Sequence, residues 1–182
     1  MRILATAVVA SLALSLGACS EDDPRPADPT SAATTPANPD ATLPPMPAEA
    51  KADSHSGASQ FVRYYAAVLN YSALTGDVRQ METLSDPDCD SCRTYIDLFA
   101  KTYEDGGFFR GGTWSFGEAK VRYTSANDPA HVTATVHISG GSQKLTSDSD
   151  LSTSTPKKSV LTFQLAPGEP RRMAEILKGD FR

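Results

Sequence analysis

Three histidines, three cysteines and one tryptophan in 182 residues give this chain little material for side-chain chemistry. It has no G-x-S-x-G nucleophile turn, no phosphate-binding glycine loop and no H-E-x-x-H pair. Zinc needs four ligands, but there is one C-x-x-C, at Cys89 and Cys92, and no His-x-x-x-His to complete it. No metal and no cofactor are therefore expected. His131 and His137 lie six residues apart on the polar face of a strand pattern, too far to chelate together, and read as exposed surface. A basic excess is missing as well: the formal net charge is −5, which argues against a nucleic-acid partner. The uncharged apolar run from Ile3 to Leu16 is too short to cross a membrane, about 21 Å of helix against a bilayer core of about 30 Å.

That length suits the apolar region of a secretory signal instead, with Arg2 before it. The run ends in Leu16-Gly17-Ala18-Cys19, which resembles the lipobox of bacterial lipoproteins. The resemblance implies a signal peptide over residues 1–18, cleavage before Cys19 and a diacylglycerol on its thiol. Two acyl chains anchor stably where one gives only marginal binding. The expected location is the outer face of a bacterial cell membrane. Ordinary signal cleavage after Ala18, leaving Cys19 as a thiol, is the competing reading.

Residues 19–57 follow as a tether rich in Pro, Ala, Ser, Thr and Asp, with too little apolar surface to offset its ordering entropy. Between Ser20 and Gly57 stand seven acids and two bases, and Arg2 adds one positive charge, so residues 58–182 are left at about −1. The acidity belongs to the tether. Residues 58–182 have the size of one globular domain, and no internal repeat is visible in them.

Helical spacing opens that domain. Ser59 is expected to cap a helix in which Phe61, Tyr64, Tyr65, Val68 and Tyr71 recur at three- and four-residue steps, and Gly76 to end it. Asp77 can cap a short second helix burying Val78, Met81 and Leu84. A third carries Cys92, Tyr95, Ile96, Phe99 and Tyr103 on one face and stops at Gly106-Gly107. The period then becomes two. In "TWSFGEAKVRY" the apolar parity switches after Phe116, which predicts a bulge at Gly117-Glu118. "HVTATVHIS", "SVLTFQLA" and "RRMAEIL" supply three more strands. The polar stretch "GGSQKLTSDSDLSTSTPKK" between them reads as a long flexible hairpin loop.

Three helices followed by about four antiparallel strands make an α+β fold with the helices on one face of a curved sheet. The order resembles the cone of cystatin-like and nuclear transport factor 2-like proteins. "LPPMP", "FVRYY", "LNYSALTGD", "DPDCDSC" and "YEDGG" together resemble an actinobacterial lipoprotein family catalogued as domain of unknown function 6318. That resemblance implies an envelope location, the cone-like fold and a paired C-x-x-C; it brings no activity.

The residues themselves leave the Cys89–Cys92 pair with three readings. A catalytic pair needs a lowered thiolate pKa, which Asp86, Asp88 and Asp90 oppose, and a metal lacks its other ligands. A disulfide staple suits an exported chain, the aspartates then serving free backbone N–H groups. Tyr64, Tyr65, Tyr95 and Tyr103 could line a cone cavity with Asp97 or Asp105 as base, or simply form core. Phe108, Phe109, Trp114 and Phe116, among glycines, read as core or as an exposed recognition surface. The catalytic residues and the oligomeric state are left open by the sequence. Three functions stand: a lipid-anchored, non-catalytic binding module for an envelope protein, glycan or hydrophobic small molecule; a small cavity enzyme; and a surface thiol oxidoreductase.

Overall fold

A computed structural model describes residues 41–180. The expected signal peptide, the Leu16-Gly17-Ala18-Cys19 motif and the first part of the expected tether lie outside the described residues.

A 3-10 turn, Ala48–Lys51, leads into α1 (His55–Thr75), α2 (Arg79–Leu84) and α3 (Asp90–Glu104). The folded part therefore begins ahead of the expected boundary at residue 58. Ala50 is buried in the same core as α1, and Gly57 lies so close to the Ala52 carbonyl that no Cβ would fit. This approach also moves the cap. Ser54 accepts the Gly57 N–H at 3.0 Å, and Ser59 sits within the helix. Gly76 ends α1 at φ 76°, as its position implies. Met81 and Leu84 of α2 are buried, while Cys92, Phe99 and Tyr103 mark the inner face of α3.

Seven strands follow where about four are expected: β1 (Phe108–Gly111), β2 (Trp114–Arg122), β3 (Ala130–Ile138), β4 (Gly141–Lys144), β5 (Ser152–Ser154), β6 (Lys157–Leu165) and β7 (Met173–Lys178). They form two antiparallel sheets, β2-β3-β6-β7 and β1-β4-β5. The register of β2 on β3 slips between Phe116 and Ala119, so the bulge falls at Gly117-Glu118. Val132, Ala134, Val136, Phe163 and Leu165 turn inward against Phe61, Tyr65, Val68 and Leu69 of α1. Burying such side chains at about 1.5–3 kcal/mol each is the main stabilising term of this half.

The stretch read as a flexible loop is a correction. It folds as β4, an organised tip, β5 and the start of β6. Ser149 Oγ accepts the N–H groups of Leu145 (3.0 Å) and Thr146 (3.1 Å), and Ser147 N–H donates to the Asp105 carbonyl at 2.9 Å. The two sheets are also one ladder bent at a corner. Ser139 N–H donates to Thr113 O (3.0 Å) and Gly112 N–H to Gly140 O (3.1 Å), joining the pairing above to the pairing below. Glycines permit the bend: Gly111 and Gly112 have φ 71° and 67°, and a Cβ on Gly141 would meet Arg110 O and Gly112 N at 2.7 Å.

Candidate functional site

Three places could carry function: the interior between helices and sheet, the C-x-x-C loop, and the glycine corner.

The four tyrosines reach the interior but are engaged there by packing. Tyr65, 1% exposed, donates to Ser85 Oγ at 3.0 Å, since Ser85 directs its own proton to Met81 O at 2.7 Å. Burial pushes its hydroxyl up to about 12. Tyr103 donates to Ala73 O (2.8 Å) and accepts Phe109 N–H (3.3 Å). Tyr95 stands edge-on to Trp114, ring centroids 5.6 Å apart, and Tyr64 is buried in the core. Burial raises the pKa of Tyr64, Tyr95 and Tyr103 as well. The suggested bases are elsewhere: Asp97 is exposed, and Asp105 pairs with Lys101 at 3.0 Å. The buried polar or charged side chains among the described residues are Ser72, Thr75, Ser85, Thr102, Thr135 and Arg171, with no carboxylate or histidine. His137 is exposed. His131 is half-buried, its pKa lowered first by burial and then by Arg122.

The aromatic group divides. Phe109 packs edge-on to Phe99 at 5.3 Å, and Phe116 meets Phe163 at 5.6 Å. Trp114 is fixed by its backbone: its N–H donates to Asn70 Oδ1 (2.8 Å), and Asn70 Nδ2 donates to its carbonyl (2.9 Å). These three belong to the core boundary. Phe108 lies on the opposite face under the Arg110 guanidinium, 4.5 Å from the ring centre. Asn70 escapes sequence reasoning because its partner is 44 residues away and no local pattern marks an amide clamp.

Cys89 and Cys92 are joined, S–S 2.02 Å, and both residues are buried, at 1% and 0% exposure. Cys89 is the N-cap of α3, and its sulfur accepts the Cys92 N–H at 3.2 Å. The sulfur thus takes the capping place expected of the aspartates. Asp86 accepts the Asp88 N–H at 3.0 Å within the loop, and Asp90 pairs with Arg93 at 2.9 Å. The loop also grips β7: Asp86 N–H donates to Met173 O and Ile176 N–H to Ser91 Oγ, both at 2.8 Å. A cleft of about 250 Å³ lies beside it, with Glu82, Asp86, Ile96 and Asp97 in its lining and the buried disulfide at its floor. Among the described residues no group of His, Cys, Asp or Glu is placed to hold a metal ion, and no helix is long and apolar enough to cross a membrane.

At the corner, two rows of the small sheet share one face: Phe109-Gln143-Ser152 and Gly111-Gly141-Ser154. They line a concavity of about 90 Å³. Its surface offers hydroxyls, one amide and glycine backbone next to an aromatic edge. Such a surface can exchange several hydrogen bonds with a neutral polar ligand and has no group suited to acid–base work. The Gly-Gly pairs at 111–112 and 140–141 are the sequence signal that marks it.

Residues 25–164 match the family of unknown function DUF6318, and the chain belongs to that family. No curated protein matches it. Among solved structures it is similar to the intermembrane space region of the chloroplast protein ARC6, with TM-score 0.52 and 11% identity over 69% of this chain and 98% of that one. That likeness is one of fold. An uncharacterized protein with a cystatin-like fold from Caulobacter vibrioides aligns with TM-score 0.44 and 11% identity, over 70% and 91% of the two chains.

Proposed function

We propose that this protein is a non-catalytic binding module of the bacterial cell envelope, anchored to the outer face of the membrane through a lipid on Cys19. Its ligand is an envelope glycan, taken at the glycine corner. The observation that carries this reading is the chemistry of the corner concavity, built from Gln143, Ser152, Ser154 and bare glycine backbone beside Phe109. At about 90 Å³ it is smaller than the roughly 300–1,000 Å³ of enclosed small-molecule pockets. A shallow polar surface suits one ring of an extended chain ligand better than a hydrophobic small molecule. The interior tyrosines, engaged by Ser85, Ala73 and Trp114, support a packing role over a catalytic one.

The anchor is read from Leu16-Gly17-Ala18-Cys19 and the apolar run before it. The Cys89–Cys92 bridge is a staple in this reading: both sulfurs are buried and one caps a helix, whereas a thiol oxidoreductase must present a sulfur to its substrate.

Two measurements test the proposal. Amide NMR during titration with purified envelope polysaccharide fragments is expected to move Gly141, Gln143 and Ser152, and Gln143→Ala to weaken the response several-fold. Shifts confined to the cleft beside Cys89 and Cys92, or none, would sink the glycan reading. Metabolic labelling with an alkynyl fatty acid is expected to mark the chain and to vanish in Cys19→Ala; labelling that persists there would refute the anchor.

A further inference from the structure

Sheet edges with unpaired N–H and C=O groups invite another strand. Among the described residues, three of the four edges in this protein are engaged at one or two positions by its own groups. Asn70 takes both backbone groups of Trp114 on β2, at 2.8 and 2.9 Å. Ser91 and Asp86 engage Ile176 and Met173 on β7, each at 2.8 Å. Tyr103 holds the Phe109 N–H of β1 at 3.3 Å. The fourth edge, β5, pairs with β4 on one side and has no such cover on the other. Every residue from Leu151 to Lys158 is exposed, and Leu151, at 58%, is the most exposed large hydrophobic among the described residues. Ser152-Thr153-Ser154 itself holds no lysine or proline, although the strand is short and Pro156 and Lys157 follow it.

The charges around this strand say what covers it. Asp148 and Asp150 precede Thr153, Lys157 and Lys158 follow it, and all four are exposed. An antiparallel partner of the same sequence, centred on Thr153, sets Asp150 of one strand opposite Pro156 of the other, next to Lys157, with Asp148 and Lys158 facing each other just beyond the ladder. The two-fold axis makes this happen twice. Leu151 then lies beside Thr155 of the second copy instead of in water.

We propose that two copies of this chain pair along β5, antiparallel, about a two-fold axis at Thr153. The ladder is about five residues long, so it buries well under the roughly 1,200 Å² of a standard stable interface. The pairing is accordingly weak, concentration-dependent and weakened by salt, because its charge pairs are exposed. Confinement to a surface would favour it, but the inference stands on the sheet alone and does not need the glycan or the anchor.

The test uses the full-length chain in mild detergent, with Cys19→Ser so that Thr153→Cys introduces the single free thiol. Mild oxidation is expected to link two copies through the thiols introduced at position 153 at least tenfold faster than through those of Asp128→Cys, placed on an exposed loop away from β5. Sedimentation equilibrium is expected to show a dimer that dissociates in high salt. Lys157→Glu with Lys158→Glu should leave a monomer, and adding Asp148→Lys and Asp150→Lys should restore the dimer, which also shows that the variants fold. A monomer at every concentration overturns the proposal. So does a dimer indifferent to the charge reversals and slow to cross-link at position 153, because that pairing lies elsewhere. A monomer that takes up an extended heterologous peptide along β5 would overturn it too, by naming another occupant.

Discussion

The hairpin running from Ala130 to Leu165 passes through both halves of the bent sheet, and the halves treat it differently. Below the corner, β3 and β6 alternate between core and surface, and Val132, Val136, Phe163 and Leu165 are at most 1% exposed. Above it, β4 is half-buried throughout and all of β5 is exposed. One continuous ladder therefore changes from a core-forming element into a hydroxyl-rich projection within a few residues. The lower half holds most of the stability, and the upper half, secured by glycines and backbone pairing, is free to vary its side chains. The comparison is testable because substitutions in the two halves should have very different costs.

The largest contrast is Phe163→Ala against Ser154→Ala. Phe163 is 1% exposed and meets Phe116, so its truncation should cost about 3–5 kcal/mol in urea denaturation. Ser154, exposed on β5, should change stability by less than about 0.5 kcal/mol. Equal losses at the two sites would mean that the upper sheet is part of the same core.

Next comes alkaline pH. Burial, against the hydrogen bond to Ser85, pushes the Tyr65 hydroxyl up to about 12, whereas in the unfolded chain it titrates near its ordinary 10.0. The unfolded state therefore releases this proton first as pH rises. Stability is unaffected by Tyr65 below about pH 10 and falls by about 2–3 kcal/mol between there and pH 12. In Tyr65→Phe that part of the slope should disappear, while Tyr64, Tyr95 and Tyr103, also raised by burial, retain theirs. An unchanged alkaline slope would show that the hydroxyl is not desolvated.

A smaller loss is expected from opening the bridge. Closing so short a loop contributes about 2 kcal/mol by the chain-entropy model, and the Cys89 cap at Cys92 N–H goes with it. Cys89→Ser with Cys92→Ser should lower the denaturation midpoint and speed amide exchange at Ile176, whose N–H the loop holds through Ser91. A reduction potential below about −300 mV is expected for a structural bridge; one near −200 mV with the fold intact would favour the oxidoreductase reading.

Elements with one buried face were legible in the sequence. Phe61, Tyr65 and Val68 keep helical period, and the switch from Trp114 and Phe116 to Ala119 and Val121 gives the bulge its place. The upper strands were not legible because alternation exists only where one face is buried, and β5 has none. Phe108 and Phe109 read as an aromatic cluster, yet they point to opposite faces of β1, one under Arg110 and one onto Phe99. The choice between Ser54 and Ser59 as cap depends on how Gly57 meets the Ala52 carbonyl, which no local spacing encodes. For the candidate site, glycine pairs were visible, but what they bend was not.

The finest comparison concerns two glycines of nearly equal backbone angle. Gly76, at the end of α1, has φ 76°, and Gly112, at the corner, has φ 67°. Both adopt the left-handed conformation, so alanine at either carries a backbone cost of about 1–2 kcal/mol. Only their surroundings differ. At Gly76 a Cβ would stand 2.5 Å from the Tyr103 ring, which is held by its bonds to Ala73 and Phe109, whereas at Gly112 it would find nothing within 4 Å. Gly112→Ala should therefore cost the backbone term alone, about 1 kcal/mol, and Gly76→Ala that term plus the displacement of a buried ring. A calorimetric comparison of the two variants cancels the shared backbone contribution and leaves the packing difference between the halves. Equal losses would place the corner under the same packing constraint as the core, and the concavity there would then be too rigid to adjust to a ligand.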